Sequence, residues 1–257
     1  MSKPRPGVQA GKRLFDCDDV KVWKRVERQH DADILDQVKT LREVHRQYQD
    51  LGDKLQSDDD TNKNSCITKE ELLLVVKWKF LVGKPRYALM KHLLSNTEKD
   101  VNAHSAATFE IAKTLPDGTT KISDGKQTET IKKALEALTN LKGVGPATAS
   151  AVLALVRPDV FGYMYDESIE SVGLKRAYNV KTYLELNARC MEIVTTRLGS
   201  DWTPSRVSKT LWAASRANAY GLEDHTAASA ASSEKKRQSS GKENAMATKK
   251  RQRVAKA

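Results

Sequence analysis

The stretch Leu141-Lys142-Gly143-Val144-Gly145-Pro146-Ala147-Thr148-Ala149-Ser150 constrains this chain more than any other. Two glycines bracket one apolar residue, and a proline then opens a run of small apolar residues that reaches Val156. Glycine permits φ > 0 and close backbone approach. Proline suits the first turn of a helix, where its missing N–H costs nothing. Upstream, Ile131 to Asn140 has helical spacing. Residues 131–157 therefore read as helix, tight turn, helix. The first amides of the second helix have no partner within it, so they form a place for an anion.

Other segments have the same periodicity. Val22, Trp23 and Val26 mark a short helix, and Leu35, Val38, Leu41, Val44, Tyr48, Leu51 and Leu55 a long amphipathic one over Asp31–Leu55. Thr68 with Glu71 forms a capping box for a helix from Glu70 to Val82. That helix is apolar nearly all round and so belongs at the centre. Gly83 ends it, and Pro85 starts a helix through about Ser95. Thr97 with Asp100 caps the next. Asp166 sits where a helix begins, Lys181–Leu198 is amphipathic, and Thr203-Pro204 caps a last helix with Val207, Leu211 and Trp212 on its buried face. No strand ladder or internal repeat is visible. The reading is an all-α domain of roughly nine helices over 15–222. Residues 1–14, with Pro4, Pro6, Gly7 and Gly11 among basic residues, and residues 223–257, rich in Ala, Ser, Lys and Gln, are expected to be disordered.

The net charge of +11 is divided. Residues 223–257 hold nine Lys/Arg against four Asp/Glu, which leaves 35 against 29 in the body. A moderately basic body permits nucleic-acid binding without requiring it. Cys17, Cys66 and Cys190 are far apart, which argues against a disulfide framework and against close-spaced ligands for zinc or iron–sulfur clusters. No apolar run approaches the roughly 20 residues that span a bilayer, and the basic start lacks the apolar region of a signal peptide. Asp58-Asp59-Asp60 reads as a solvated loop, and the five histidines form no spaced pair for a metal.

A second basic stretch joins Lys77-Trp78-Lys79-Phe80 to Lys84-Pro85-Arg86-Tyr87. Basic residues interleaved with aromatics suit stacking and phosphate contact. Trp78 and Phe80 fit better as core residues whose lysine neighbours reach water. Lys84, Arg86 and Tyr87 stand at a helix junction and fit the rim of a groove.

The string Leu141-x-Gly143-Val144-Gly145-x-x-Thr148-Ala149-x-x-Val152-Leu153 resembles the helix-hairpin-helix of the HhH-GPD superfamily of DNA glycosylases. Tyr165-Asp166-Glu167-Ser168-Ile169 stands where that family places its catalytic aspartate. The likeness covers about residues 131–172 and implies a multi-helix HhH-GPD-like domain. It implies that Gly143, Val144, Gly145, Pro146, Ala147 and Thr148 pack against DNA backbone, with Lys142 adding charge; Lys84 and Arg86 are expected to extend the basic surface from their own stretch. Backbone amides on phosphate anchor DNA without reading its sequence.

Asp166 would face C1′ of a flipped nucleotide and stabilise positive charge as the N-glycosidic bond breaks, with Tyr87 and Tyr165 as candidates to line the base pocket. The structural alternative is that Asp166 only caps its helix. Bifunctional members carry a Schiff-base lysine where this chain has Ala147, so the resemblance implies a monofunctional enzyme without β-lyase activity, with no cofactor or metal. Glu167-Ser168 departs from the hydroxyl and histidine of many members, and their four-cysteine cluster is absent. The expected role is base excision repair by a DNA-binding monomer. The alternatives are an inactive DNA-binding module and a helical interaction protein.

In the tail, Lys235, Lys236 and Arg237, then Lys249, Lys250, Arg251 and Arg253, resemble a bipartite nuclear import signal, read by an import receptor. They place the expected location in the nucleus.

Overall fold

The structure, a computed structural model, describes residues 6–29, 39–57, 66–117 and 125–217. The acidic run Asp58–Asp60, the import clusters and the tail over 223–257 lie outside these residues. Among the described residues there are eleven α-helices and no strand. They are α1 (Pro6–Phe15), α2 (Val20–Gln29), α3 (Lys39–Gln56), α4 (Lys69–Val82), α5 (Met90–Leu94), α6 (Glu98–Lys113), α7 (Gly125–Thr139), α8 (Pro146–Val156), α9 (Asp166–Ser171), α10 (Val180–Ile193) and α11 (Pro204–Ala217). No described helix is long and apolar enough to cross a membrane.

The capping residues act as their spacing predicts. Thr68 accepts from the Glu71 amide and Glu71 answers to the Thr68 amide; Thr97 and Asp100 do the same for α6. Such a cap removes two of the unpaired amides at a helix start. Gly83 closes α4 by donating to the Lys79 carbonyl. The helix expected from Pro85 to Ser95 is instead a 3-10 turn at Tyr87–Leu89 followed by the short α5. Residues 39–56 keep the long amphipathic helix, with Leu41, Val44, Tyr48 and Leu51 buried.

Helix α8 is the centre of the packing. Every residue from Ala147 to Leu155 is buried, and α3, α4, α6, α7 and α10 all touch it. Its alanines let those helices approach closely, as a well-packed interior requires. Tyr48 Oη donates to the Ala151 carbonyl at 2.7 Å, and Gln56 Nε2 to that of Leu155 at 2.7 Å. Trp78 of α4 is fully buried and lies flat on Tyr48, with ring centroids 3.8 Å apart. Its Nε1 donates to His45 Nδ1 at 2.9 Å. Trp78 is therefore a core residue, while Phe80 is half-buried against Tyr87.

One expectation is overturned. Residues 6–14 of the segment expected to be disordered form, with Phe15, α1 against α9 and α11. Ala10 and Leu14 are buried. The glycines that suggested disorder are there for contact. A Cβ on Gly7 would strike the Ser215 carbonyl, and one on Gly11 the hydroxyls of Ser171 and Ser215. Composition counts glycine as a source of freedom and is blind to close approach.

Candidate nucleic-acid interface and active site

The turn between α7 and α8 is held from both sides. Gly143 has φ +77°, and a Cβ there would meet the Leu89 carbonyl and the Leu93 side chain at 3.1 and 3.0 Å. The positive φ strains any other residue, and the contacts leave a Cβ little room. Gly145 is different: its φ is −106°, and a Cβ would meet nothing within 4 Å. Neither backbone angle nor neighbour explains the missing side chain, and its outer side is open. The Val144 amide closes the turn on the Leu141 carbonyl at 3.1 Å. Pro146 is the first residue of α8, as its chemistry favours. The amides of Gly143, Gly145 and Ala147 have no hydrogen-bond partner among the described residues, which leaves unpaired donors at the start of α8.

Buried Asn96 fixes the turn to the end of α5. Its Oδ1 accepts from the Lys142 amide and its Nδ2 donates to the Lys142 carbonyl, each at 2.9 Å. The Lys142 side chain stays exposed at the turn.

The link from α8 to α9 is held by two buried polar side chains. Asn187 of α10 accepts from the Gly162 amide at 2.8 Å and donates to the Val160 carbonyl at 2.9 Å. Ser150 of α8 accepts from the Met164 amide at 3.2 Å. Tyr163 and Tyr165 emerge buried, with ring centroids 4.3 Å apart, and Tyr165 lies 5.4 Å from Trp212. Asp166 follows as the first residue of α9.

Asp166 does not cap that helix. The cap position is Tyr165, with no side-chain cap bond. The carboxylate turns outward: Oδ1 accepts from Tyr178 Oη at 2.8 Å, and Oδ2 pairs with Arg176 Nη1 at 3.0 Å. Arg176 also holds Glu170 at 2.9 Å. The Arg86 guanidinium stacks over the Tyr178 ring, 4.5 Å from its centroid. Burial, together with the bond to Asp166, raises the Tyr178 phenol above its usual range. Glu167 pairs with Arg216 at 3.0 Å. Burial pushes its carboxyl up, against the pull of that arginine.

These parts meet around one cavity of about 160 Å³. Gly145, Pro146, Ala147 and Thr148 form one side; Tyr165, Asp166 and Glu167 another; Lys84 and Arg86 stand at its rim. A cavity of about 150 Å³ admits a benzene ring, so the space is on the scale of one aromatic ring. The hairpin, Asp166, Tyr165, Lys84 and Arg86 are thus brought together. Lys142 lies outside the cavity, on the turn. Tyr87 lies outside it too, 72% exposed with its ring against Phe80; the turn at Tyr87–Leu89 points it away from the base-pocket position expected for it. Val144 is buried under the turn and supports it from inside.

Several residues that shape the site were not found from the sequence. Asn187 does carry a signal, because it falls on the apolar stripe of α10 with Tyr183, Leu186 and Cys190. Asn96, Arg176 and Tyr178 lie in unpatterned segments and carry none. Among the described residues no group of three or more His, Cys, Asp or Glu could hold a metal ion.

Comparison with protein-family models, curated proteins and solved structures finds no match to this chain.

Proposed function

We propose that this chain is a DNA-binding protein of base excision repair, of the HhH-GPD glycosylase type, that hydrolyses the N-glycosidic bond of a flipped base. The observation that carries the reading is the convergence on one cavity of an open hairpin, basic residues and a fixed carboxylate. Phosphate meets the amides at the hairpin and the start of α8, with Lys142, Lys84 and Arg86 supplying charge. The open side of Gly145 lets a backbone approach. The flipped base enters between Tyr165 and the hairpin, which brings C1′ toward Asp166.

As the glycosidic bond breaks, positive charge develops at C1′ and the ring oxygen, and a preorganised carboxylate stabilises it. Arg176 and Tyr178 hold that carboxylate in one orientation. Water then attacks C1′, the base leaves with the bonding pair and a proton, and an abasic site remains. Location in the nucleus, through the basic tail clusters, belongs to the same proposal.

A second reading also has an observation behind it. Both oxygens of Asp166 are occupied by Tyr178 and Arg176, which suits a non-catalytic module that keeps the phosphate anchor. A panel of lesion-containing duplexes separates the two, with wild type and Asp166→Asn scored for abasic sites. Base release by the wild type and its loss in the variant is the expected result. Equal release by both removes Asp166 from the chemistry. Salt-dependent binding without any release favours the second reading.

A further inference from the structure

Lys79 is the group in this cavity that the hydrolytic reading leaves without a task. It lies in the last turn of α4 and reaches across to α8, where its Nζ donates to Thr148 Oγ1 at 2.7 Å. Thr148 is itself buried, at 2% exposure. The amine therefore sits on the cavity wall at the level of the hairpin helix, with Asp166 on another wall. Lys84, the other lysine of the cavity, is exposed at the rim.

Removal from water, and the nearby Arg86 guanidinium, push the Lys79 ammonium down to about 8, while Asp166 pulls it up. The charged or titratable groups around it are Lys84 and Arg86 from the segment after α4, Tyr163, Asp166 and Glu167 beyond α8, and Tyr178; α8 presents only the neutral Thr148 hydroxyl. A desolvated lysine in a cavity is the usual form of an amine nucleophile toward carbonyl carbon.

We propose that Lys79 forms a covalent imine with the aldehydic C1′ of an abasic deoxyribose, so that strand-cleaving lyase chemistry comes from α4 rather than from the hairpin helix. The inference rests on the DNA-repair reading and names an abasic site as the substrate. The neutral amine attacks C1′ of the ring-opened sugar. The C–N bond forms, and the carbonyl π pair moves to oxygen, which takes a proton. The carbinolamine then loses water as the C–O bond breaks, and the positive charge stays on the iminium nitrogen. The iminium acidifies C2′. A C2′ proton passes to a carboxylate of the cavity, and the C3′–O bond breaks to release the phosphate. Water adds to the conjugated iminium, freeing the lysine and an unsaturated aldehyde.

The test uses the full chain with a duplex that already holds an abasic site, so no glycosylase activity is needed. Sodium borohydride delivers hydride to an iminium and leaves a stable secondary amine. A DNA–protein adduct on a denaturing gel, mapped by mass spectrometry to the Lys79 peptide, is the expected result. Lys79→Arg, which keeps the charge but forms no such imine, loses the adduct while its melting temperature and its binding to a tetrahydrofuran-site duplex are retained; Lys79→Ala loses it as well. Adduct formation rises with pH through about 8 and then levels, because only the neutral amine attacks. An ordinary lysine would keep climbing toward pH 10.4.

An adduct mapped to Lys84 or Lys142, or one retained in Lys79→Arg, overturns the proposal. So does binding of the tetrahydrofuran duplex without any adduct. Absence of binding overturns both this proposal and the reading beneath it. An adduct at Lys79 with no base released from any lesion supports the imine and removes only the hydrolysis.

Discussion

Gly7 and Gly11 in α1 and Gly143 and Gly145 in the hairpin look alike in sequence, each pair standing close to lysine or arginine. In the fold they face different things. The α1 pair is pressed against α9 and α11, where any Cβ would strike Ser171 or Ser215. Gly143 is also needed by the chain itself, through its positive φ and its contact with α5. Of the four, Gly145 alone has open space where its side chain would be. A glycine that a fold needs for its own packing reports stability. One that the fold does not need, beside unpaired amides, reports room for a partner.

The comparison can be broken first at α1. Gly7→Ala and Gly11→Ala are expected to cost about 1–3 kcal/mol each, as overpacking does, with a lower melting temperature by circular dichroism. Gly7→Ala is the more severe, since the obstacle is backbone carbonyl rather than a hydroxyl that can rotate. DNA affinity of the folded fraction stays unchanged. A melting temperature equal to wild type would mean that α1 is not packed as described.

Gly143→Ala comes next, with about 1–2 kcal/mol from the left-handed backbone and a loss of DNA affinity, because the turn distorts. Both effects in one variant distinguish it from the α1 pair.

Gly145→Ala sharpens the contrast most. Its stability is expected to stay within about 0.5 kcal/mol of wild type. Affinity for duplex DNA, by fluorescence anisotropy, falls about tenfold, equivalent to ~1.4 kcal/mol. Unchanged affinity would leave the open side of Gly145 facing only water.

Lys142→Ala is the smallest perturbation. It should leave melting unchanged, weaken binding modestly and uniformly across sequences, and reduce the slope of log affinity against log salt by about 1. A full slope would place the phosphate elsewhere.

Much of the helical framework was legible in advance because its signals are local. The caps at Thr68 and Thr97, the stop at Gly83, the turn before Pro146 and the helix start at Asp166 each depend on a few neighbouring residues. The misreadings have the same origin. Pro85 suggested a full helix, yet a 3-10 turn intervenes before α5. Pro6, Gly7 and Gly11 suggested disorder, yet the packing partners of α1 lie 160 to 208 residues away, at Ser171 and Ser215. For the site, the hairpin could be named from its glycine spacing and the aspartate from the resemblance; the company they keep could not. Asn96, Arg176 and Tyr178 act across loops, and Lys79 reaches the cavity only because α4 crosses α8 where it does.

The sequence by itself determined that the chain is helical, where most helices start and stop, and that a tight glycine turn precedes a small-residue helix with an aspartate after it. Those features follow from periodicity and backbone chemistry within a few turns. Only the tertiary structure decided that Gly145 is open while Gly7 and Gly11 are filled against neighbours, that Asp166 is held by Arg176 and Tyr178 rather than spent on a cap, and that a desolvated lysine from α4 shares its cavity. Those outcomes depend on which side chains distant segments bring within hydrogen-bond reach and how much water they exclude.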